Sequence, residues 1–245
     1  MPFISLIVLL TDSRVPLLES LYLREIKKRW PQKHVLSIFT KADLVEKSKS
    51  NTAFNLFQPS ARHKIIKLLK SSLSGLKLNP RENTNSIVVM GGANSGKSSF
   101  INLLVKQQKA KRTAEPGTTR GISRHKIPQT NLLLYDCPGF FPDKADKNLA
   151  ALLQLLNFLP TTPDSAINYS EWGFNYLLEK HPTRLKNWIN LADLNSLDYY
   201  SFLKNIALKY KLIEKKGELS LGRAEEKFIN LVRKGEFGRI TWELS

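Results

Sequence analysis

Residues 87–105 read Ile87-Val88-Val89-Met90-Gly91-Gly92-Ala93-Asn94-Ser95-Gly96-Lys97-Ser98-Ser99-Phe100-Ile101-Asn102-Leu103-Leu104-Val105. The apolar run Ile87 to Met90 has the character of a buried strand, and Lys97 to Val105 opens a helix. Between them lies G-x-x-x-x-G-K-S. Strand, glycine loop and helix in that order are the context a phosphate-binding loop requires, because the loop and the helix N-terminus aim backbone N–H groups at an anion. Gly91 and Gly96 permit the close backbone approach. Lys97 would reach the β- and γ-phosphates and Ser98 would ligate Mg²⁺. Gly92, Asn94, Ser95, Gly96 and Ser99 complete the expected cradle.

The phosphate loop does not by itself choose a base. Upstream stands Thr40-Lys41-Ala42-Asp43, just past the apolar run His34 to Thr40. A carboxylate at Asp43 can accept two hydrogen bonds from guanine N1–H and the exocyclic amine, and adenine offers no such pair of donors. Lys41 would lay its stem along the base. Thr40 stands where guanine readers usually have Asn, which keeps a hydrogen-bonding side chain. Taken alone these four residues read equally as a helix cap after a strand. Combined with the phosphate loop they read as a guanine site whose parts occur in an inverted order along the chain. Such a site tolerates the inversion because its ligands must be adjacent in space, not in sequence.

Other segments fill the remaining roles. Asp136-Cys137-Pro138-Gly139 follows the apolar run Leu132 to Tyr135. Asp136 can therefore bind Mg²⁺ through water while the Gly139 amide faces the γ-phosphate; the plainer reading is an Asp-Pro-Gly turn. Pro116-Gly117-Thr118-Thr119-Arg120 falls where a nucleotide-sensing switch belongs, with Thr119 the candidate second hydroxyl ligand of Mg²⁺ and Thr118 its competitor. Ser60-Ala61 fits a segment supporting the guanine carbonyl through a backbone amide. The candidate catalytic groups are Lys97, Thr119 and Gly139. Asn94 has the spacing of a loop asparagine that helps bind K⁺, and a loop Asn bonding its own backbone accounts for it as well. Phe140 occupies the position that holds a water-orienting Gln in Ras-like enzymes, and a phenyl ring cannot orient water.

Periodicity organises the chain around these motifs. Ile4 to Leu10 and His34 to Thr40 read as buried strands joined by a helix from Leu17 to Trp30, a βαβ unit. A strand at Phe54 to Phe57 and a helix at Ala61 to Leu73 follow. Ser71 to Asn85, rich in Ser, Asn, Gly and Pro, reads as a surface linker. Lys106 to Thr119 lacks apolar periodicity and fits a switch loop. After Asp143 the pattern is helical. The expectation is an α/β class chain: a mostly parallel sheet flanked by helices over 1–146, then a small all-α domain over 147–245.

Composition narrows the partners. Among 245 residues, 38 Lys and Arg face 21 Asp and Glu, a formal charge of +17. That excess predicts a polyanion, and RNA fits better than a membrane because no long basic amphipathic helix or lipidation signal is present. The single cysteine, Cys137, rules out an intramolecular disulfide and fits a reducing, cytoplasmic setting. Phe3 to Leu10 falls short of the roughly 20 residues a membrane helix needs, and no basic n-region or cleavage site marks a signal peptide. The four histidines His34, His63, His125 and His181 show no metal-ligand spacing; His125 reads as an exposed strand histidine.

The order TKAD, SA, GGANSGKS, PGTT, DCPG resembles the circularly permuted P-loop GTPases, and among them the ribosome biogenesis GTPase A family. Leu9-Leu10-Thr11-Asp12-Ser13-Arg14-Val15-Pro16-Leu17 is similar to that family's "DARIP" segment. Phe140 matches its hydrophobic replacement of the catalytic Gln, and Arg233-Lys234-Gly235-Glu236-Phe237-Gly238-Arg239-Ile240 resembles its C-terminal "R-x-GKLGR-I/L" segment. The family usually begins with a further segment containing Phe-Pro-Gly-His-Met, whereas here the first strand starts almost at Met1. A histidine proposed to assist hydrolysis in that segment has no counterpart here, which bears on the rate and mechanism of hydrolysis and not on nucleotide binding.

The resemblance implies a monomeric GTPase using GTP/GDP, Mg²⁺ and K⁺, slow alone and stimulated by the large (50S) ribosomal subunit precursor whose assembly it serves. It also implies that the helical domain contacts ribosomal RNA. There Ala224, Phe228, Leu231 and Val232 form a core stripe, leaving Arg223, Lys227, Arg233 and Lys234 as cations for RNA. Lys109, Lys111, Arg112, Arg120 and Arg124 join them around the switch. Two rival readings are a small-subunit or mitochondrial ribosome assembly GTPase, and a nucleotide-gated RNA-binding module with negligible hydrolysis.

Overall fold

The computed structural model describes residues 3–46, 50–76, 84–105, 123–139, 145–160, 168–190, 194, 196–215 and 217–244. The chain forms two compact units, one of Met1–Lys144 with the returning segment Thr241–Glu243, the other of Ala145–Ile240.

The first unit is built on a six-stranded sheet: β1 (Leu6–Asp12), β2 (Val35–Thr40), β3 (Ala53–Phe54), β4 (Asn85–Gly91), β5 (Ser123–Lys126) and β6 (Leu132–Asp136). Its spatial order is β3-β2-β1-β4-β6-β5. All pairings are parallel except β5 against β6. Every residue of β1 is buried, as expected of a strand covered on both faces, and this is why it reads as an unbroken apolar run. The core on one face joins Leu6, Val8 and Leu10 to Ile65 and Leu69 of α2 (Ala61–Leu73) and to Phe100 and Leu104 of α3 (Lys97–Val105). The preceding crossover helix, α1 (Leu17–Arg29), buries Leu18, Tyr22 and Ile26.

Two sequence expectations shift. The strand expected at Phe54 to Phe57 is only Ala53–Phe54. Asn55 ends it, because its side-chain oxygen accepts from the Phe57 N–H at 2.9 Å and bends the chain into a turn. The stretch Ser71 to Asn85, expected as linker, gives its first three residues to the last turn of α2 and Asn85 to the start of β4; residues 77–83 lie outside the described set.

The second unit comprises α4 (Lys147–Leu155), α5 (Tyr169–Lys180), α6 (Pro182–Ile189), α7 (Tyr199–Lys209) and α8 (Leu221–Lys234). Asp146, Asn168 and Asp198 cap α4, α5 and α7 with side-chain oxygens that accept from first-turn N–H groups. An aromatic chain holds the unit's centre: Phe174 stacks on Phe202 at 4.8 Å, Phe202 meets Phe228 edge-on at 4.9 Å, and Phe228 meets Phe237 at 5.6 Å. Among the described residues no helix is long and apolar enough to cross a membrane.

Candidate nucleotide site

Parallel pairing carries the ends of four strands to one edge of the sheet, where open α/β folds bind ligands. The register sets Asp12 beside Thr40 and Leu10 beside Gly91, and Val89 beside Asp136. The segments continuing from these ends are the turn Thr40–Asp43, the glycine loop Gly91–Ser98 and Cys137–Gly139.

The turn Thr40–Asp43 is bonded directly to the loop Gly91–Ser98. Thr40 Oγ1 donates to the Ser95 carbonyl at 2.8 Å, and Lys41 Nζ donates to the Asn94 carbonyl at 2.9 Å. Thr40 is fully buried, so its hydroxyl joins two segments 55 residues apart in the chain. Gly96 explains why they fit: its φ is +95°, and a Cβ there would stand 3.3 Å from Thr40 Cγ2 and 3.5 Å from Leu56 Cδ1. The same contact brings the turn leading to Ser60 and Ala61 beside the loop. Within that turn the Ala61 N–H already donates to the Gln58 carbonyl at 3.0 Å.

Lys41 takes a left-handed backbone, φ 55°, uncommon for a residue with a side chain. A second bond secures it: its ammonium is 2.7 Å from Asp12 Oδ2. Asp12 is wholly buried and also accepts from Arg14 Nε at 3.0 Å and from the other guanidinium arm at 2.9 Å. Burial alone would raise the Asp12 pKa, but the Arg14 and Lys41 charges outweigh it and hold the carboxyl well below the usual range. Asp43 follows in a short 3₁₀ turn, Ala42–Leu44, and is exposed, so its carboxylate is accessible to a base.

At the phosphate loop, Lys97 is buried and its Nζ donates to the Gly92 carbonyl at 2.7 Å and the Gly91 carbonyl at 3.2 Å. An ammonium has three N–H donors, so one remains for an anion. Burial lowers the Lys97 pKa, opposed by the Asp136 charge, while burial raises the Asp136 pKa, opposed by Lys97. Gly139 lies against the loop: a Cβ there would be 3.0 Å from the Ala93 nitrogen and 3.3 Å from Lys97 Nζ. Ser98 and Ser99, both half-buried, occupy the first turn of α3.

The donor set fits a phosphate chain with a hard cation. Ser95 Oγ and Asp136 Oδ1 are buried without a hydrogen-bond partner among the described residues, an arrangement costly unless a ligand or water completes it. Carboxylate and hydroxyl oxygens are the ligands Mg²⁺ takes. Thr40, Lys41, Gly92, Asn94, Ser95, Gly96, Lys97 and Gly139 are linked by these contacts, with Asp43, Ser98 and Asp136 on the segments they tie together. Thr119, Thr118, Phe140, Lys109, Lys111, Arg112 and Arg120 lie outside the described residues.

Asp12 and Arg14 hold the Lys41 turn in place, and residue-by-residue reading passed over them as site residues. The available signal was position: a carboxylate two residues after an apolar run marks a strand's C-terminal end, as Asp136 does after Leu132–Tyr135. In the helical unit, Arg233, taken as an RNA cation, instead donates to the Leu155 carbonyl at 2.8 Å and the Gln154 carbonyl at 3.1 Å, closing the end of α4. Lys227 lies 4.1 Å over the Tyr210 ring, and Arg223 donates to the Ile213 carbonyl at 3.4 Å.

Residues 86–162 match the family described as 50S ribosome-binding GTPase. The probable ribosome biogenesis GTPase A of Mycoplasma genitalium is 28% identical over 249 residues, spanning 98% of this chain and 88% of that protein. Ribosome biogenesis GTPase A of Bacillus pumilus is 26% identical over 262 residues, spanning 98% and 90%. Among solved structures, GNP-bound YlqF from T. maritima superposes with a TM-score of 0.62 at 20% identity, covering 99% of this chain and 94% of that one. The inverted motif order, the hydrogen bonds that close it in space and a likeness running nearly end to end agree: the chain carries a GTPase domain and is similar over nearly its whole length to the ribosome biogenesis GTPase A proteins.

Proposed function

We propose that the chain is a GTP-binding and GTP-hydrolysing switch in assembly of the large ribosomal subunit, acting in the cytoplasm as a monomer. The observation that carries this reading is the Thr40–Ser95 bond, which makes one site of a guanine reader and a phosphate loop that the sequence separates. Asp43 reads guanine, with the Lys41 stem along the base and the Ser60–Ala61 turn beside it. Gly92, Asn94, Ser95, Gly96, Lys97, Ser98 and Ser99 cradle the phosphates. Ser98 and Thr119 would hold Mg²⁺ directly and Asp136 through water, and the ion would supply charge neutralisation at the phosphates. Asn94 is the candidate contact for K⁺.

Lys97 and the Gly139 amide stabilise charge on the γ-phosphate. GTP orders Thr119 and Gly139, ribosomal RNA binds that ordered state, and the differential binding stimulates hydrolysis and release. The excess of cations supports RNA as the partner, the names of the relatives support ribosome biogenesis, and the description of the matching family, 50S ribosome-binding GTPase, supports the large subunit.

GTP turnover by the full chain, alone and with isolated 50S or 30S subunits, in K⁺ and in Na⁺, tests the reading. Stimulation by the large subunit alone is expected. Tight GTP binding with no stimulated turnover would replace the switch by a nucleotide-gated RNA-binding module.

A further inference from the structure

A second concave, cationic feature lies on the first unit outside the nucleotide loop. Helix α2 and the turn between β5 and β6 line an open groove of about 460 Å³ whose walls include Arg62, His63, Lys67, Lys70, Gln129 and Thr130. We propose that this groove grips the phosphodiester backbone of RNA, independently of the bound nucleotide.

The helix itself points this way. Ala61–Leu73 carries Arg62, Lys64, Lys67 and Lys70 and no acidic residue. Cations three residues apart on a helix repel, and no carboxylate on α2 relieves them. The face opposite the core therefore carries a row of cations with no carboxylate of α2 among them. Its residues recur at helical spacing: His63, Lys67 and Lys70 are exposed while Ala61, Ile65, Leu69 and Leu73 are buried. From residue 62 to 70 the row rises about 12 Å, and strand phosphates advance only about 3.4 Å each along a duplex axis. Several successive phosphates can meet it. The volume lies in the range of roughly 300–1,000 Å³ that suits a nucleotide-sized group better than one free anion.

The walls are fixed. Arg62 donates through Nε and one terminal nitrogen to the Leu104 carbonyl, at 3.4 and 3.2 Å, which holds the guanidinium in place and leaves the rest of its fork free for phosphate. Opposite, Thr130 Oγ1 donates to the Ile127 carbonyl at 2.9 Å and accepts from the Leu132 N–H at 3.1 Å. That closed turn keeps Gln129 in a left-handed conformation, φ 61°, with its exposed amide available as a further donor. Donors on two walls around a cationic floor suit a backbone contact that fixes position without reading sequence.

The inference shares an RNA partner with the proposed function, and its test separates the two. Anisotropy of a fluorescein-labelled RNA hairpin is titrated with the full chain between about 50 and 200 mM KCl, and labelled GDP binding is measured on the same samples. Lys67→Glu/Lys70→Glu is expected to weaken RNA binding about tenfold and to flatten the slope of log K against log salt by about 1.5. Lys67→Arg/Lys70→Arg should bind as wild type, and GDP affinity should not change in either. Lys27→Glu/Lys28→Glu, the same charge change on exposed positions of α1, should lose no more than about twofold. Unchanged RNA affinity in the α2 variant, or an equal loss in the α1 variant, overturns the proposal. So does selective displacement of RNA from the α2 row by inorganic phosphate at matched ionic strength, which would make the groove a free-anion site. Loss of GDP binding by wild-type chain would instead count against the GTPase reading.

Discussion

The Asp12 carboxylate and the Lys41 ammonium stand 2.7 Å apart, joining the end of β1 to the turn proposed to read the base. Lys41 in turn holds the Asn94 carbonyl. One buried charge thus ties the first strand, the Thr40–Asp43 turn and the Gly91–Ser98 loop together. Asp12→Asn removes the carboxylate charge that Arg14 and Lys41 share, and breaking one side of such a buried pair costs about 3–5 kcal/mol.

Urea unfolding of wild type and Asp12→Asn across pH checks the same point by sign. The folded pKa of Asp12 lies below its unfolded value of about 4. Its contribution is therefore complete above that value and lost as pH falls toward the folded one. Wild type should lose stability on acidification from about pH 4 with a steeper limb than Asp12→Asn. Parallel limbs would show that Asp12 carries no such linkage.

Thr40→Val preserves shape and deletes the hydroxyl that donates to Ser95. One such bond is worth about 1 kcal/mol, so labelled GDP should bind about fivefold more weakly. Undiminished affinity would mean that the bond does not organise the site.

Asp43→Asn exchanges a double acceptor for a group with both a donor and an acceptor. Xanthine replaces the guanine amine by a carbonyl, which an amide N–H can meet. Isothermal titration with GDP and XDP should show guanine affinity falling by at least about a hundredfold while the xanthine nucleotide gains. Retained guanine preference would place the base elsewhere.

Gly139→Ala inserts a Cβ 3.0 Å from the Ala93 nitrogen and 3.3 Å from Lys97 Nζ. Overpacking of this kind costs about 1–3 kcal/mol, and it falls where the γ-phosphate is expected. Affinity for a non-hydrolysable GTP analogue should drop about tenfold or more while GDP stays nearly constant. Equal loss for both nucleotides would remove Gly139 from γ-phosphate sensing.

Much of this arrangement was readable because it rests on short-range signals. Ile87–Val105 announces strand, loop and helix within 19 residues of sequence, and Leu132–Asp136 announces a strand ending in a carboxylate. What escaped reading depends on partners remote in sequence. Arg233 looks like any other cation beside an apolar stripe until it meets the carbonyls of Gln154 and Leu155, 79 and 78 residues away. Asp12, in sequence only one residue of the Leu9–Leu17 stretch, gains its role when Lys41 arrives from the next crossover. Strand β3 stops early for a local reason, the Asn55 turn, but Phe54 to Phe57 contains enough aromatic and apolar residues to hide it.

The returning segment Thr241–Glu243 sets an order on the making of the molecule. The Trp242 N–H donates to the Arg14 carbonyl at 2.7 Å within the GTPase unit. A ribosome adding about 5–20 residues each second needs roughly 10–45 s to pass from Arg14 to Trp242. The helical unit is therefore fully synthesised before the unit that precedes it can close, and the first domain begun is the last one finished.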